Sequence, residues 1–156
     1  MEEGRFPWEL DQSEEDLILY HTEDIDFELE HQDILSSWIK DTISLESKQL
    51  HQVNFIFCSD AYLHDLNLQY LQHDTLTDII TFPYLELPLI EGDIFISIDR
   101  IRENARAYGC TFEQELYRVM IHGVLHLCGY TDKTVEEKAA MTKQENLRLA
   151  QLSLLS

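Results

Sequence analysis

The sequence predicts an α+β fold. Strand-like and helix-like periodicities are interspersed along the chain. Two strands, 79–82 and 93–98, lie too close together for the helical crossover that a parallel pair needs. One segment, from Thr111 to Gly129, is apolar nearly all round, as in a buried central helix.

The elements follow in order. Residues 1–14 are polar and acidic and read as a poorly ordered extension, with a single domain over 15–156. Residues 16–20, DLILY, suit a short strand. From Glu30 to Ile43 an amphipathic helix places Ile34, Leu35, Trp38 and Ile39 on one face. Residues 52–58 alternate, with Val53, Phe55 and Phe57 on one side of a strand. Ser59 and Asp60 offer an N-cap to a helix carrying Leu63, Leu66, Leu68 and Tyr70. A polar loop, 71–78, precedes the strand 79–82, which Pro83 confines to a sheet edge or ends. Gly92 and Asp93 precede a strand with Ile94, Ile96 and Ile98 on one face. Asp99 or Arg100 begins a helix that stops at Gly109. Thr111 and Gln114 form a capping-box pattern at the head of the central helix. A last helix covers about 134–150.

The 156 residues suffice for one core. No apolar run can span a bilayer and no export signal is seen, so the expected compartment is the cytoplasm. Cys58, Cys110 and Cys128 are odd in number and widely spaced, so they read as buried apolar residues. The net charge is −19, and residues 1–33 alone hold 13 acids and one Arg. Such a chain does not bind nucleic acid broadly, because phosphate contacts need Lys or Arg. Arg100, Arg102, Arg106 and Arg118 are the counter-signal, a local basic strip or else a mixed helix surface.

The chemistry is concentrated in IHGVLHLCGYTDKT. His122 and His126 are four apart on the central helix, so both rings leave the same face one turn apart. Gly129 can end that helix in the left-handed region and let Asp132 return to the same point. Two imidazoles, one carboxylate and an open position are the ligand set of a catalytic zinc site. The competing reading makes both histidines satisfied core residues and Asp132 a capping acid. Zinc proteases of the H-E-x-x-H type carry a Glu general base after the first His. Gly123 stands there, so protease chemistry lacks its base.

The run HGVLHLCGYTD resembles the H-G-x-L-H-L-x-G-Y-D-H signature of the YbeY endoribonucleases, the rRNA maturation factors. Residues 65–83, DLNLQYLQHDTLTDIITFP, resemble that family's L-N-x-x-Y-R-x-x-D-x-x-T-D-V-L-S-F-P stretch, and GDIFIS at 92–97 its G-D-I-x-I-S strand. Met141 falls where the family has a Met in the last helix. The resemblance implies a small mixed β-sheet with the zinc helix packed across it, in a zincin-like arrangement. It implies a cytosolic, single-strand-specific endoribonuclease with one Zn2+ ion, acting in 16S rRNA 3′-end maturation and ribosome quality control. Its implied partners are the 16S rRNA precursor and the ribosome or ribosomal proteins. His122 and His126 fall on the first two ligands.

Two positions depart from the pattern. Asp132 stands where most relatives have a third His, with Thr131 in place of the preceding Asp. Leu71 stands where the family has an Arg thought to contact RNA. The sequence names no general base; Asp78 and His73, in the matching loop, are its candidates, and strand capping and a solvated loop are their competing roles. Two other functions compete: a zinc hydrolase of another substrate, such as a peptide, and a non-catalytic, zinc-stabilised ribosome-assembly factor.

Overall fold

The strongly alternating and apolar segments assemble into one four-stranded sheet with helices on both faces. The computed structural model describes residues 17–72 and 76–155. The expected extension over 1–14 and the candidate His73 lie outside the described residues. The strands are β1 (Ile18–Glu23), β2 (Gln49–Cys58), β3 (Ile79–Pro83) and β4 (Leu89–Ser97). The helices are α1 (Gln32–Leu45), α2 (Asp60–Leu66, running into a π-turn over Asn67–Leu71), α3 (Ile98–Tyr108), α4 (Phe112–Leu127) and α5 (Val135–Ala150).

The sheet order is β1-β2-β4-β3. β1 and β4 run parallel to β2, and β3 is antiparallel to β4. The fold is thus α+β with a mixed sheet. Pro83 ends β3 on the edge, where a missing N–H costs no ladder bond.

One core fills the space between the sheet and α1, α4 and α5. Helix α1 buries Leu35, Trp38, Ile39, Thr42 and Ile43, a stripe with i, i+3, i+4, i+7 spacing. Ile34, expected on that face, is one position off the stripe and is 41% exposed. Val53, Phe55 and Phe57 are buried as their alternation requires. On the opposite face Cys58 and Ile80 pack under Leu63 of α2. Leu68 and Tyr70 are exposed, because the π-turn rotates them away from the stripe that carries Leu63.

β4 begins earlier than expected and includes Gly92 and Asp93. A Cβ on Gly92 would lie 2.7 Å from the Phe82 carbonyl oxygen and 2.9 Å from Leu127 Cδ2, so glycine lets β3 and α4 close on this strand. Asp93 is held in place by Asn54 Nδ2 at 3.2 Å and by the Tyr84 hydroxyl at 2.7 Å. α3 starts at Ile98, just before the expected start at Asp99 or Arg100, since Ser97 Oγ accepts the Arg100 N–H as its cap.

Helix α4 is stopped and started by its sequence. Both bonds of the Thr111–Gln114 capping box form. Gly123 faces the sheet, where an added Cβ would meet Ile79 Cδ1 and Ile94 Cγ2, each at 2.9 Å. That contact brings the helix close to β3 and β4 and turns His122 and His126 off the sheet. Among the described residues no helix is long and apolar enough to cross a membrane.

Candidate metal centre

The four-residue spacing places the rings of His122 and His126 6.1 Å apart, with 18° between their planes. His122 is partly buried and His126 is exposed. Each ring has its Nδ1 committed. His122 Nδ1–H donates to Glu145 Oε2 at 2.7 Å, and His126 Nδ1–H donates to the Tyr130 carbonyl at 2.7 Å. Both acceptors lack a proton to give, so each neutral ring carries its lone pair on Nε2. Fixing the tautomer through Nδ1 is how proteins present a histidine to a metal.

Gly129, at φ 112°, turns the chain after α4. Asp132 then comes back beside the histidines, with Oδ2 3.4 Å from His122 Nε2. Asp132 is more open than His122: their side chains are 42% and 25% exposed. The structure therefore brings the three sequence-chosen residues into one neighbourhood, with Asp132 against His122. Among the described residues no group of three His, Cys, Asp or Glu side chains closes into a metal-holding cluster. The two imidazoles fit a metal by tautomer and direction, and the carboxylate by its chemistry and its approach to Nε2.

Glu145 of α5 was not singled out from the sequence. Its side chain is only 8% exposed, and its second oxygen takes Arg118 Nη1 at 2.9 Å. Arg118 Nη2 also donates to Asn146 Oδ1 at 2.8 Å. A lone Glu on a polar helix carries no local signal. Only its spacing from Met141, which is buried in the same helix, puts it on the inward face. Burial works to lower the His122 pKa, but the hydrogen bond and charge of Glu145, with Asp132 and Asp78, outweigh it and the net shift is upward.

A second acidic pair is Asp78, within the electrostatic reach of His122, and Glu115, which interacts with Asp78. Asp78 accepts from Asn104 Nδ2 at 3.3 Å, and burial raises its pKa while His122 and Arg100 pull it down. Glu115 is buried in α4 and is raised first by burial and then by the charge of Asp78. Neither Glu115 nor Asn104 was read as part of a site.

The basic strip is largely neutralised. Arg100 Nε lies 3.1 Å from Asp60 Oδ2, Arg106 pairs with Glu103 at 2.8 Å, and Arg118 is held by Glu145. Arg102 lies over the Phe112 ring, 5.8 Å from its centre. Leu71 ends the π-turn and is 42% exposed, so its position is open to solvent without a cation. Cys58 and Cys128 are buried, which pushes both thiols up to about 12. Both are packing residues as expected, whereas Cys110, expected to be buried too, is only half-buried just after α3.

Fold and site together define an α+β domain whose central helix presents two same-face imidazoles beside a returning carboxylate. A sequence model described as Endoribonuclease YbeY matches residues 18–153, and the chain belongs to this family. It is 55% identical over 131 residues to an Endoribonuclease YbeY of Amoebophilus asiaticus, covering 83% of this chain and 89% of the relative. It is 48% identical over 126 residues to that of Flavobacterium psychrophilum, covering 81% and 90%. A solution structure of a Thermotoga maritima protein superposes with a TM-score of 0.59 at 28% identity, covering 86% of this chain and 90% of that one.

Proposed function

We propose that this chain is a single-strand-specific, metal-dependent endoribonuclease. In this reading His122, His126 and Asp132 hold one Zn2+ ion. The substrate is the 3′ region of the 16S rRNA precursor, and the work is done in the cytoplasm, on the ribosome or with ribosomal proteins, in maturation and quality control. The whole activity sits in one domain over 15–156. Family membership supports RNA cleavage. The single observation that carries the metal reading is the pair of Nδ1 hydrogen bonds, which leaves Nε2 of both rings as the ligating atom.

A zinc ion bound there supplies Lewis acidity toward a phosphodiester oxygen. The chain's own residues do the rest. Glu145 and the Tyr130 carbonyl hold the two rings in register. Asp78, with its pKa raised by burial, is the candidate for moving a proton at the scissile bond. Gly123 lies against the sheet, so the protease base position is filled by packing and not by an acid.

The experiment is metal analysis of the purified protein followed by a cleavage panel with and without chelator. Metal-dependent cutting of single-stranded RNA, including a 16S precursor, with duplex RNA and peptides intact, is the expected result. Peptide cleavage without RNA cleavage would overturn it.

A non-catalytic assembly factor stabilised by zinc is the second reading. Leu71 and the neutralised arginines favour it, because they remove cations from an acidic protein. It predicts that chelation lowers the melting temperature and that no RNA is turned over.

A further inference from the structure

We propose that the phosphate backbone of the RNA strand is held by the outer face of α5, through Lys138 and Lys143; the inference rests on the endoribonuclease reading above. Most arginines of this acidic chain are already spent on its own acids. Arg100, Arg106, Arg118 and Arg148 each face a carboxylate. Phosphate contact therefore needs other cations.

Helix α5 supplies them. Its acids are committed elsewhere: Glu145 is buried between Arg118 and His122, and Glu137 accepts from the backbone of Lys133 and Thr134 at the N-terminal cap. Glu136 remains, in the first turn. Beyond that turn the solvent-facing charges of the helix are Lys138 and Lys143, both exposed. They share an open surface of this one helix with Ala139, Thr142 and Leu147. The five-residue interval sets them about 7.5 Å apart along the helix axis. Small and apolar side chains between two cations leave room for ribose and base while the ammonium groups meet phosphates.

This surface is tied to the candidate metal centre by side-chain hydrogen bonds. Asn146 lines it and accepts from Arg118, whose other nitrogen reaches Glu145, the partner of His122. A strand that reaches Asn146 is thus three hydrogen bonds from the His122 ring. Charge complementarity selects the occupant: a polyanion fits here, whereas the rest of a chain of net charge −19 repels one.

The test is binding of a fluorescent, 2′-O-methylated single-stranded oligonucleotide to the full chain across a salt series. The wild type is compared with the double variant Lys138→Gln/Lys143→Gln and with Lys40→Gln/Lys48→Gln, which makes the same charge change on and after α1. Loss of two phosphate contacts should flatten the plot of log affinity against log salt by about 1.4, or about 25-fold in affinity at 0.1 M salt. Thermal melting and metal content should stay at wild-type values, and the control pair should keep the wild-type slope. Wild-type binding that the α5 double variant leaves unchanged, or that both pairs weaken equally, overturns the α5 assignment alone. No wild-type binding at any salt overturns the RNA reading with it.

Discussion

Glu145 Oε2 accepts the Nδ1–H of His122 at 2.7 Å, while Glu145 Oε1 takes Arg118 at 2.9 Å. One buried carboxylate therefore joins the last helix to the central helix at the ring proposed to hold the metal. Replacing Glu145 by Ala removes the group that sets the His122 tautomer. Zinc affinity, measured by competition with a chelating dye, should fall about 10–100-fold. Affinity equal to wild type would show that His122 does not depend on Glu145.

The buried acids carry a pH prediction. Burial raises the Glu115 pKa, and the charge of Asp78 adds to it. A carboxyl raised in the folded state binds its proton more tightly there than in the unfolded chain. Its contribution is therefore fully present below the unfolded value, about 4.3, and is lost as pH rises through the folded value. Glu115→Gln should melt higher than wild type at pH 7.5. The difference should close as pH falls through the ordinary carboxylate range. A constant difference at all pH values would assign the effect to packing.

Gly123 is tested by the smallest addition. A methyl group there meets Ile79 and Ile94 at 2.9 Å. Overpacking of this kind costs about 1–3 kcal/mol, against about 0.5–1 kcal/mol gained from helix propensity. Gly123→Ala should lower the unfolding free energy by about 1 kcal/mol, read as a lower urea midpoint with an unchanged m-value. A stabilised variant would mean that α4 can move off the sheet freely.

Arg148 ties the end of α5 to the end of α1. Its Nη2 lies 3.0 Å from Glu46 Oε2, and its carbonyl accepts the Trp38 indole N–H at 2.8 Å. Both side chains of the ion pair are mostly buried, 10% and 15% exposed. Arg148→Met leaves Glu46 without its cation and should cost about 3 kcal/mol in chemical denaturation. A loss below 0.5 kcal/mol, the usual bound for surface changes, would contradict this.

Where side-chain type sets local geometry, the sequence was readable. Thr111 and Gln114 announced the cap of α4, Pro83 announced an edge strand, and the four-residue interval put His122 and His126 on one face. Thr134 and Glu137 carry the same capping signal for α5 and form the same box. The parts that depend on a partner from another element were hidden. Glu145, Asn104 and Glu115 gain their roles only when α5, α3 and α4 meet, and no periodicity reports that meeting. The arginine cluster is the mixed surface that was the alternative to a basic strip, and its partners were hidden for a related reason. Arg100 is answered by Asp60, 40 residues earlier in the chain. Gly92 looked like a strand boundary, yet it is strand interior because β3 and α4 close on it.

In the proposed function, Nε2 of His122 and Nε2 of His126 hold a metal that RNA cleavage requires. The most direct measurement is cleavage of a labelled single-stranded RNA by chelator-treated protein as zinc is returned, run beside His126→Ala. The wild type should recover activity as about one zinc per chain binds, and His126→Ala should neither retain zinc nor cut. Cleavage by His126→Ala at the wild-type rate in metal-free buffer would contradict the claim.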